Sequence, residues 1–337
     1  MAANLYVHFP FCRSRCSYCS LYSRAGSTAA ERERYVESIR VELESLRDRS
    51  ASTLKTLYFG GGSPALCDLK PLKGTLAPLL GESTEFTVEL HPLDVAPDKL
   101  DELKSIGVNR ISMGVQSLDD GILAHMGRGY TFHDAVRAFA LVKSRFDNAG
   151  IDLIVGYPGE SAALLPRHAR LAKWGLRHCS VYSLQNERGL KDAIDDETTM
   201  NRISILSKFL SDIGLARYEI SNYAAPGFEC RHNLAVWHGE DYVGLGAGAC
   251  GREGLIRTRG TKNGYEKTTV SQEFDIKERT LFRLRTRDGL DASRFPEWRP
   301  ALDRFVAEGL LALLDGCVYR LTERGTEVCD AILAELV

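Results

Sequence analysis

Short strand-like segments alternate with longer helix-like segments over the first two thirds of the chain. The candidate strands are Asn4–Phe9, Lys55–Phe59, Glu85–Leu90, Asn109–Val115, Gly150–Val155, His178–Leu184 and Arg217–Asn222. The candidate helices are Ala30–Arg47, Leu93–Ile106, Thr131–Arg145 and Ser161–Trp174. Strands separated by helices predict parallel β-α units, because a parallel pair needs a long crossover connection. Six or seven such units in about 220 residues favour an α/β barrel, complete or partial, over a small open sheet.

Two local patterns support these helices. The first helix carries one apolar stripe among charged residues, at the spacing of helical turns: Tyr35, Ile39, Leu43 and Leu46. Thr131 followed by Asp134 is a helix N-cap signal, because the two side chains can accept from each other's backbone N–H groups.

The chain is too long for a single hydrophobic core, and its composition and periodicity change after Asn222. Its 337 residues exceed the ~250–300 at which one hydrophobic core stops growing. Ala225–Gly251 is rich in glycine, histidine and aromatic residues and has no clear periodicity, so we expect it to be irregular. The last 22 residues resemble a strand, a turn and a helix. We therefore predict a barrel over residues 1–224, a connecting segment over 225–265 and a small, mainly helical C-terminal domain over 266–337.

Composition excludes several classes of protein. Lysine plus arginine (43) nearly balances aspartate plus glutamate (45), which argues against a nucleic-acid partner. No apolar run approaches the ~18–20 residues of a membrane span, and the N-terminus lacks the features of a signal peptide. The nine cysteines are an odd number, and three of them fall close together. Such usage predicts a reducing compartment, the cytoplasm, rather than a secreted disulfide framework.

The three clustered cysteines are the strongest chemical signal in the chain. Cys12, Cys16 and Cys19 have the spacing C-x3-C-x2-C directly after the first candidate strand. Thiolates suit zinc, copper and iron–sulfur clusters, and three of them can hold three irons of a 4Fe-4S cube. The fourth iron would then be open to another ligand. A zinc site or unrelated buried thiols are the alternatives, but zinc sites favour a second, distant C-x2-C pair that this sequence lacks.

Polar residues recur at the ends of three later candidate strands. Glu89, Gln116 and Asp152 each have the opposite parity to the apolar residues of their strand, so period-two alternation directs them to the other face. That face is the barrel interior, where a carboxylate needs a partner. The partner is either a ligand with hydroxyl and amine groups or a structural polar network. The glycine-rich turn Phe59–Pro64 would let a ligand approach the backbone closely, although a plain tight turn is the more common explanation of such a motif.

With these motifs the sequence resembles the radical S-adenosylmethionine (SAM) superfamily, whose signature is C-x3-C-x2-C. The resemblance implies a 4Fe-4S cluster bound by Cys12, Cys16 and Cys19, with the amino and carboxylate groups of SAM on the open iron. In the family, one-electron reduction cleaves SAM to a 5′-deoxyadenosyl radical. The turn FGGGSP stands where family members have a GGGTP loop, and Ser63 keeps the hydroxyl of that threonine.

The resemblance narrows to the coproporphyrinogen III oxidase-like group, and within it to the haem chaperones. It rests on LYVHFPFCRSRCSYC, GVNRISMGVQSLDD, DLIVGYPGE, YEISNYAAPGFECRHNLAVWHGEDYVGLGAGA and RLTERG, which together span nearly the whole chain. It implies an α/β fold, a partial (β/α)6-type radical SAM barrel with a small C-terminal domain. By this likeness SAM is contacted by Tyr6, Tyr18, Gly61, Gly62, Ser63, Glu89, Gln116, Arg128 and Asp152.

One segment resembles a haem-associated motif of the chaperones. HNLAVW implies haem contacts from His232, Asn233 and Trp237, because histidine is a common axial ligand of haem iron. The alternative is that these residues only hold the connecting segment in place. Four further positions depart from the family pattern: Val236 replaces a tyrosine, Ser20 an aspartate, Cys250 a histidine and His91 an asparagine.

The resemblance implies a haem chaperone that binds haem as cargo and passes it to apoproteins, with the cluster, SAM and a reductant. The oxygen-independent coproporphyrinogen III oxidase is the first alternative. That enzyme has a long extension before its cluster motif and a further cysteine after it, whereas here eleven residues precede Cys12 and Leu21 takes the cysteine's place. We therefore expect no such oxidase activity. Another radical SAM reaction, such as methyl transfer, is the second alternative.

Overall fold

A computed structural model describes residues 3–47, 53–161 and 169–337. Most of its strands belong to one twelve-stranded sheet with the order β14-β13-β12-β11-β1-β4-β5-β6-β7-β8-β10-β9. The strands are β1 (Asn4–Phe9), β2 (Phe11–Cys12), β3 (Arg24–Ala25), β4 (Leu54–Gly61), β5 (Leu80–Leu90), β6 (Arg110–Gln116), β7 (Ala149–Val155), β8 (His178–Ser183), β9 (Ala216–Arg217), β10 (Asn222–Ala224), β11 (Tyr242–Leu245), β12 (Cys250–Glu253), β13 (Ile256–Thr261), β14 (Gly264–Thr269), β15 (Leu290–Asp291), β16 (Leu311–Asp315) and β17 (Val318–Leu321).

Helices connect and cover these strands. They are α1 (Ala29–Arg47), α2 (Lys73–Leu76), α3 (Pro97–Ser105), α4 (Asp120–His125), α5 (Phe132–Lys143), α6 (Asp196–Asp212), α7 (Arg231–Trp237), α8 (Gln272–Arg283), α9 (Arg299–Ala307), α10 (Glu323–Glu327) and α11 (Cys329–Ala334). Short 3-10 turns lie at Pro64–Leu66, Lys70–Leu72, Ala77–Leu79, Pro92–Asp94, Ala169–Trp174 and Pro296–Trp298.

Six consecutive parallel strands form the centre of the sheet. β1 and β4 to β8 pair in chain order, and β11 adds a further parallel strand beside β1. β8 pairs with the antiparallel β10 rather than returning to β1, so the sheet stays open. This arrangement confirms the expected partial (β/α)6-type barrel.

The core lies between the sheet and its helices, as the alternation predicts. Phe86, Val88 and their counterparts on β6 and β7 are fully buried in one hydrophobic cluster with the inner face of α1. On α1 itself, the expected residues Ile39, Leu43 and Leu46 are buried; Val36 joins them, and Tyr35 is only partly buried. α5 begins with the predicted N-cap, a reciprocal pair of hydrogen bonds between Thr131 and Asp134.

Several predicted elements differ in the structure. The single strand expected at 217–222 is wrong: it is two short strands, because a turn with a hydrogen bond from Tyr218 N to Asn222 O (3.0 Å) reverses the chain. The helix expected from Leu93 begins only at Pro97, after a 3-10 turn, since proline suits a first helical turn. Of the helix expected at 161–174, residues 162–168 lie outside the described part, and the rest is a 3-10 turn.

The connecting segment is more ordered than its sequence suggests. Ala225–Gly251 was expected to be irregular but contains α7, β11 and the start of β12. β11 is held by parallel pairing with β1, in which Leu5 lies opposite Val243. This pairing is between residues more than 200 positions apart, so local periodicity carries no sign of it.

Residues beyond β14 form a second hydrophobic cluster. α8 and α9 contribute apolar side chains with α11 and the antiparallel sheet β15-β17-β16. The region is therefore helical with a small sheet, and its ending is a strand followed by two short helices. It contacts the central sheet through Ile220 N to Arg285 O (3.0 Å) and Arg217 Nη1 to Thr326 Oγ1 (2.6 Å). Among all described helices, none has the length and apolar character to cross a membrane.

Candidate functional site

A cavity of about 1550 Å³ opens at the carboxyl ends of the parallel strands and continues into the barrel interior. We call one end of this cavity the outer end. It is the end lined by residues at or after the carboxyl ends of strands: Cys12, Gly61, Glu89, Gln116 and Arg128. Most of the predicted site residues line the cavity: Cys12, Cys16, Tyr18, Cys19, Gly61, Gly62, Ser63, Glu89, Gln116, Arg128, Asp152 and Asn233. The structure thus brings together residues that are up to 221 positions apart in the sequence.

The cysteine loop lies at the outer end of the cavity. Parallel pairing of β2 with β3, with Cys12 opposite Ala25, closes the loop that carries all three cysteines. Each thiol is free and half-buried. Arg188 Nη1 donates to the carbonyl oxygens of Cys16 (3.1 Å) and Cys19 (3.4 Å) and so holds the loop from the opposite side.

The thiols fit a cluster better than a single metal ion. In the described ranges, no three His, Cys, Asp or Glu side chains converge closely enough to hold one ion. A cube instead presents three separate irons to three separate thiolates. Burial, followed by the charges of Cys19 and Cys16, raises the pKa of Cys12 to about 11. A positively charged group at the thiol would therefore favour the thiolate form of Cys12.

The glycine turn after β4 packs directly on the cysteine loop. Gly62 N donates to Phe9 O and Ser63 N to Phe11 O, both at 2.7 Å. Gly61 has φ +101°, and a Cβ there would lie 2.4 Å from the His8 ring. A side chain at this position would therefore clash, which explains the glycine.

The carboxylates of Glu89 on β5 and Asp152 on β7 face the cavity. Glu89 accepts from Tyr58 OH (2.8 Å) and from Gly61 N (2.9 Å), and Asp152 accepts from Ser112 Oγ (3.0 Å). Burial and the charge of Asp152 raise the pKa of Glu89 to about 7, and burial likewise raises the pKa of Asp152. Each has capacity to accept further hydrogen bonds from ligand hydroxyl or amine groups.

Gln116 has an unusual backbone. It ends β6 with φ +66°, next to an irregularity in the pairing with β7 between Gly114 and Gln116. Its side chain folds over Gly114, where a Cβ would lie 2.6 Å from Gln116 Nε2. A glutamine in this region is strained, and such strain concentrates at functional sites.

Arg128 is buried beside the cysteine loop. Its guanidinium donates to Gly114 O (2.7 Å), Tyr130 OH (3.1 Å) and, at longer range, Cys16 Sγ (3.3 Å). Burial alone would lower the pKa of Arg128, but Tyr18, Tyr130 and Cys16 outweigh it and raise this pKa. The positive charge is therefore fixed at the outer end.

Some lining residues were missed by the sequence analysis. Asp94 is buried and accepts from both Arg13 and Ser63, so it fixes the hydroxyl that follows the glycine turn. His91 also lines the cavity, and burial, followed by the charge of Arg128, lowers its pKa to about 3. Polar residues directly after β5, in HPLD, were the available signal. Tyr58, Arg110, Ser112 and His178 line the cavity as well.

Comparisons with known proteins identify the family of this chain. The model of the radical SAM superfamily matches residues 6–172. The haem chaperone HemW of Mycobacterium tuberculosis (strain ATCC 25618 / H37Rv) is 32% identical over 372 residues, covering 99% of this chain and 94% of that protein. HemW of Bacillus subtilis (strain 168) is 30% identical over 379 residues, covering 99% and 100%. The chain belongs to the radical SAM superfamily, in the HemN-like group close to HemW.

A solved structure shares the fold. Coproporphyrinogen III oxidase (HemN) from Escherichia coli matches with a TM-score of 0.84 over 99% of this chain and 89% of that chain, at 19% sequence identity. Members of the radical SAM superfamily use a 4Fe-4S cluster and SAM, and the half-buried thiols and polar interior described above fit both groups.

Tyr6 is not among the residues that line the cavity, and its contact with SAM remains a prediction of the resemblance. Its hydroxyl contacts His8 Nδ1 (3.0 Å), and its ring stacks on Tyr58 at 5.9 Å between centroids. Burial, followed by the charge of Glu89, raises the pKa of Tyr6. Tyr6 lies directly opposite Tyr58 on the neighbouring strand, and Tyr58 lines the cavity.

The residues expected to bind haem do not face one space. Asn233 lines the cavity, but His232 is buried against β4, with Nδ1 at 2.8 Å from Thr56 Oγ1. Burial, followed by the charge of Arg110, lowers the pKa of His232 to about 4. Trp237 packs on Phe282 of α8, 5.7 Å between ring centroids. This placement favours the alternative that His232 and Trp237 hold the connecting segment in place.

Proposed function

We propose that the protein is a haem chaperone, which binds haem and passes it to apoproteins and carries a 4Fe-4S cluster and SAM. The observation that carries this proposal is the similarity to curated HemW proteins along the whole chain, at 30 and 32% identity. The acceptor apoproteins, the reductant and a cytoplasmic location are parts of the proposal. Nine free cysteines support a reducing compartment.

In this proposal Cys12, Cys16 and Cys19 hold the cluster. When bound, the cluster and SAM supply one-electron chemistry that amino acid side chains lack. The chain's own residues bind and orient SAM, and these are Tyr18, Gly61, Gly62, Ser63, Glu89, Gln116, Arg128 and Asp152. The support is that all of them line the cavity that contains the thiols.

The size of the cavity supports a second ligand beside SAM. Ligand pockets commonly measure about 300–1000 Å³, whereas this cavity measures about 1550 Å³. Asn233 brings the haem-associated segment to its wall, so we place the haem there rather than on His232.

The test is a haem titration of the anaerobically reconstituted protein, followed by absorbance. We expect saturable, stoichiometric binding and transfer to an added apoprotein. Absence of saturable binding at micromolar protein would refute the proposal.

A second assay tests for oxidase activity. The same sample is incubated with SAM, a reductant and coproporphyrinogen III, and we expect no protoporphyrinogen. Formation of that product would instead identify an oxidase.

A further inference from the structure

The inner end of the cavity is lined by the first residues of two strands, Arg110 of β6 and His178 of β8. Between them β7 contributes Gly150, which lies opposite Ser112 on one side and opposite His178 on the other. Because glycine has no side chain, it leaves room for His178 to lie directly beside it. A Cβ at Gly150 would lie 2.8 Å from the Cβ of His178.

Arg110 is a buried cation with few partners. Its residue is 1% exposed, yet its guanidinium makes one long hydrogen bond, to Thr87 Oγ1 at 3.5 Å. Its Nε has no hydrogen-bond partner within the described residues. The neighbouring carboxylate of Glu85 attracts the guanidinium by its charge, but its hydrogen bonds come from the backbone N–H groups of Arg231 and His232, each at 3.1 Å. A buried guanidinium with unmet donors is costly unless something else pairs with it.

His178 has a second buried donor without a partner among the described residues. Its Nε2 lies 2.8 Å from Tyr218 OH, and that hydroxyl accepts from Cys230 N (3.1 Å). The one proton of the hydroxyl is therefore available to Nε2, so a neutral imidazole carries its own proton on Nδ1. Burial, followed by the charge of Arg110, lowers the pKa of His178 and keeps the ring neutral. Nδ1 has no partner among the described residues.

We propose that Arg110 and His178 bind a carboxylate of the porphyrin cargo at the inner end of the cavity, an inference that rests on the proposed function. Both residues line the cavity, and each has a buried N–H donor without a partner among the described residues, so a carboxylate that enters there could accept from both. A planar carboxylate matches the guanidinium fork in geometry as well as charge.

SAM also carries a carboxylate, but its place in the family is at the other end of the cavity. Arg110 and Gln116 are the first and last residues of β6. Six residues of extended strand separate them by about 20 Å. A SAM molecule held at the cysteine loop cannot therefore place its carboxylate against Arg110, which leaves the carboxylates of haem.

The test compares haem with haem dimethyl ester, which lacks free carboxylates, in one buffer with one non-ionic detergent. We expect the wild-type protein to bind the ester at least tenfold more weakly than haem. Arg110→Met should bind haem about tenfold to a hundredfold more weakly, as expected for a lost charged hydrogen bond. Its binding of the ester and of SAM should not change. The melting temperature of cluster-free Arg110→Met should stay close to that of wild type, because the guanidinium has few hydrogen bonds to lose.

Arg137→Met is the matched control, since Arg137 is an exposed arginine of α5. Its binding of haem, ester and SAM should equal that of wild type.

Four outcomes would overturn the inference. The first is equal binding of ester and haem by the wild-type protein, and the second is an equal loss of affinity for both ligands in Arg110→Met. Loss of SAM binding with haem binding intact would assign the carboxylate to SAM and overturn it too. A large fall in melting temperature, shared by Arg110→Lys, would make Arg110 structural. Absence of haem binding to wild type would refute the proposed function itself.

Discussion

The outer and inner ends of the cavity hold their charges in different ways. At the outer end each charged group has protein partners: Asp94 contacts Arg13 and Ser63, and Glu89 accepts from Tyr58 and Gly61. At the inner end the donors outnumber the acceptors, because Arg110 Nε and His178 Nδ1 have no partner among the described residues.

This difference shows which end is complete before a ligand arrives. Groups that hold each other in place lose little freedom on binding, so the outer end is organised in advance for the cluster and SAM. Unmet buried donors lower stability, and proteins keep such groups where a ligand uses them. The inner end is therefore a place where function has been kept at the expense of stability.

The largest effect that we predict is at the cysteine loop. Cys12→Ala, Cys16→Ala and Cys19→Ala should each abolish the cluster, because each removes one of three thiolate ligands. Iron and acid-labile sulfide analysis of the reconstituted protein measures this. Cys250→Ala is the control, since Cys250 is free and exposed and should leave the iron content unchanged. A zinc site would contain no sulfide, and a motif variant with native iron content would contradict the assignment.

A glycine substitution tests whether the outer end is rigid. Gly61→Ala places a Cβ 2.4 Å from the His8 ring at φ +101°, so we expect a loss of roughly 2–4 kcal/mol of stability together with weaker SAM binding. Gly74 is the matched control, because a Cβ there meets nothing within 4 Å. Gly74→Ala in α2 should change stability by less than about 1 kcal/mol, in the stabilising direction. Thermal melting compares Gly61→Ala with Gly74→Ala. Similar melting temperatures would mean that the outer end is flexible enough to accommodate the added methyl group.

The pH dependence of stability tests the pairing of Glu89. Its pKa in the folded protein is about 7, above the ordinary value, so the folded state holds a proton that the unfolded state has lost. Its stabilising contribution is therefore present below about pH 4 and is lost as pH rises through 7, a change on the order of 3 kcal/mol. In Glu89→Gln the side chain does not ionise, so this decrease in stability with rising pH should disappear. We expect the melting temperature of the cluster-free variant, relative to wild type, to rise between pH 5 and pH 8; parallel curves would contradict the assigned pKa.

The smallest effect should come from a residue outside both ends. Thr131→Ala removes the N-cap of α5, in which the side chain accepts from Asp134 N. We expect a loss of about 1 kcal/mol of stability and no change in iron content or in SAM or haem binding. This variant supplies the baseline for changes that act through stability alone. A fall in ligand binding would show that binding at the two ends of the cavity depends on the overall stability of the protein.

Features that depend on short-range periodicity could be predicted from the sequence. The bounds of β1 and the capping residues of α5 agree with the structure. The polar faces of β5, β6 and β7 were also foreseen, because residues two apart share a face whatever the partner strand is. Glu89, Gln116 and Asp152 accordingly line the cavity.

Features that depend on distant pairing could not be predicted. Arg110 and His178 begin their strands, where a charged residue in a sequence is usually solvent-exposed. Only the register of β6, β7 and β8 shows that they share the interior. In the same way, His232 follows a haem-associated pattern locally, yet the pairing of β11 with β1 encloses it. Local patterns identify the outer end, and long-range pairing creates the inner one.

An open sheet has two free edges, and both are protected against self-association. β9, at one edge, has only two residues. β14, at the other edge, is fully exposed but carries Glu266 and Lys267, and charges on an edge strand discourage a second chain from adding to it. Tyr265 also ties β14 to the protein by accepting from Gly246 N (2.8 Å). The sheet can therefore leave its barrel unclosed for a bulky ligand without becoming a template for aggregation.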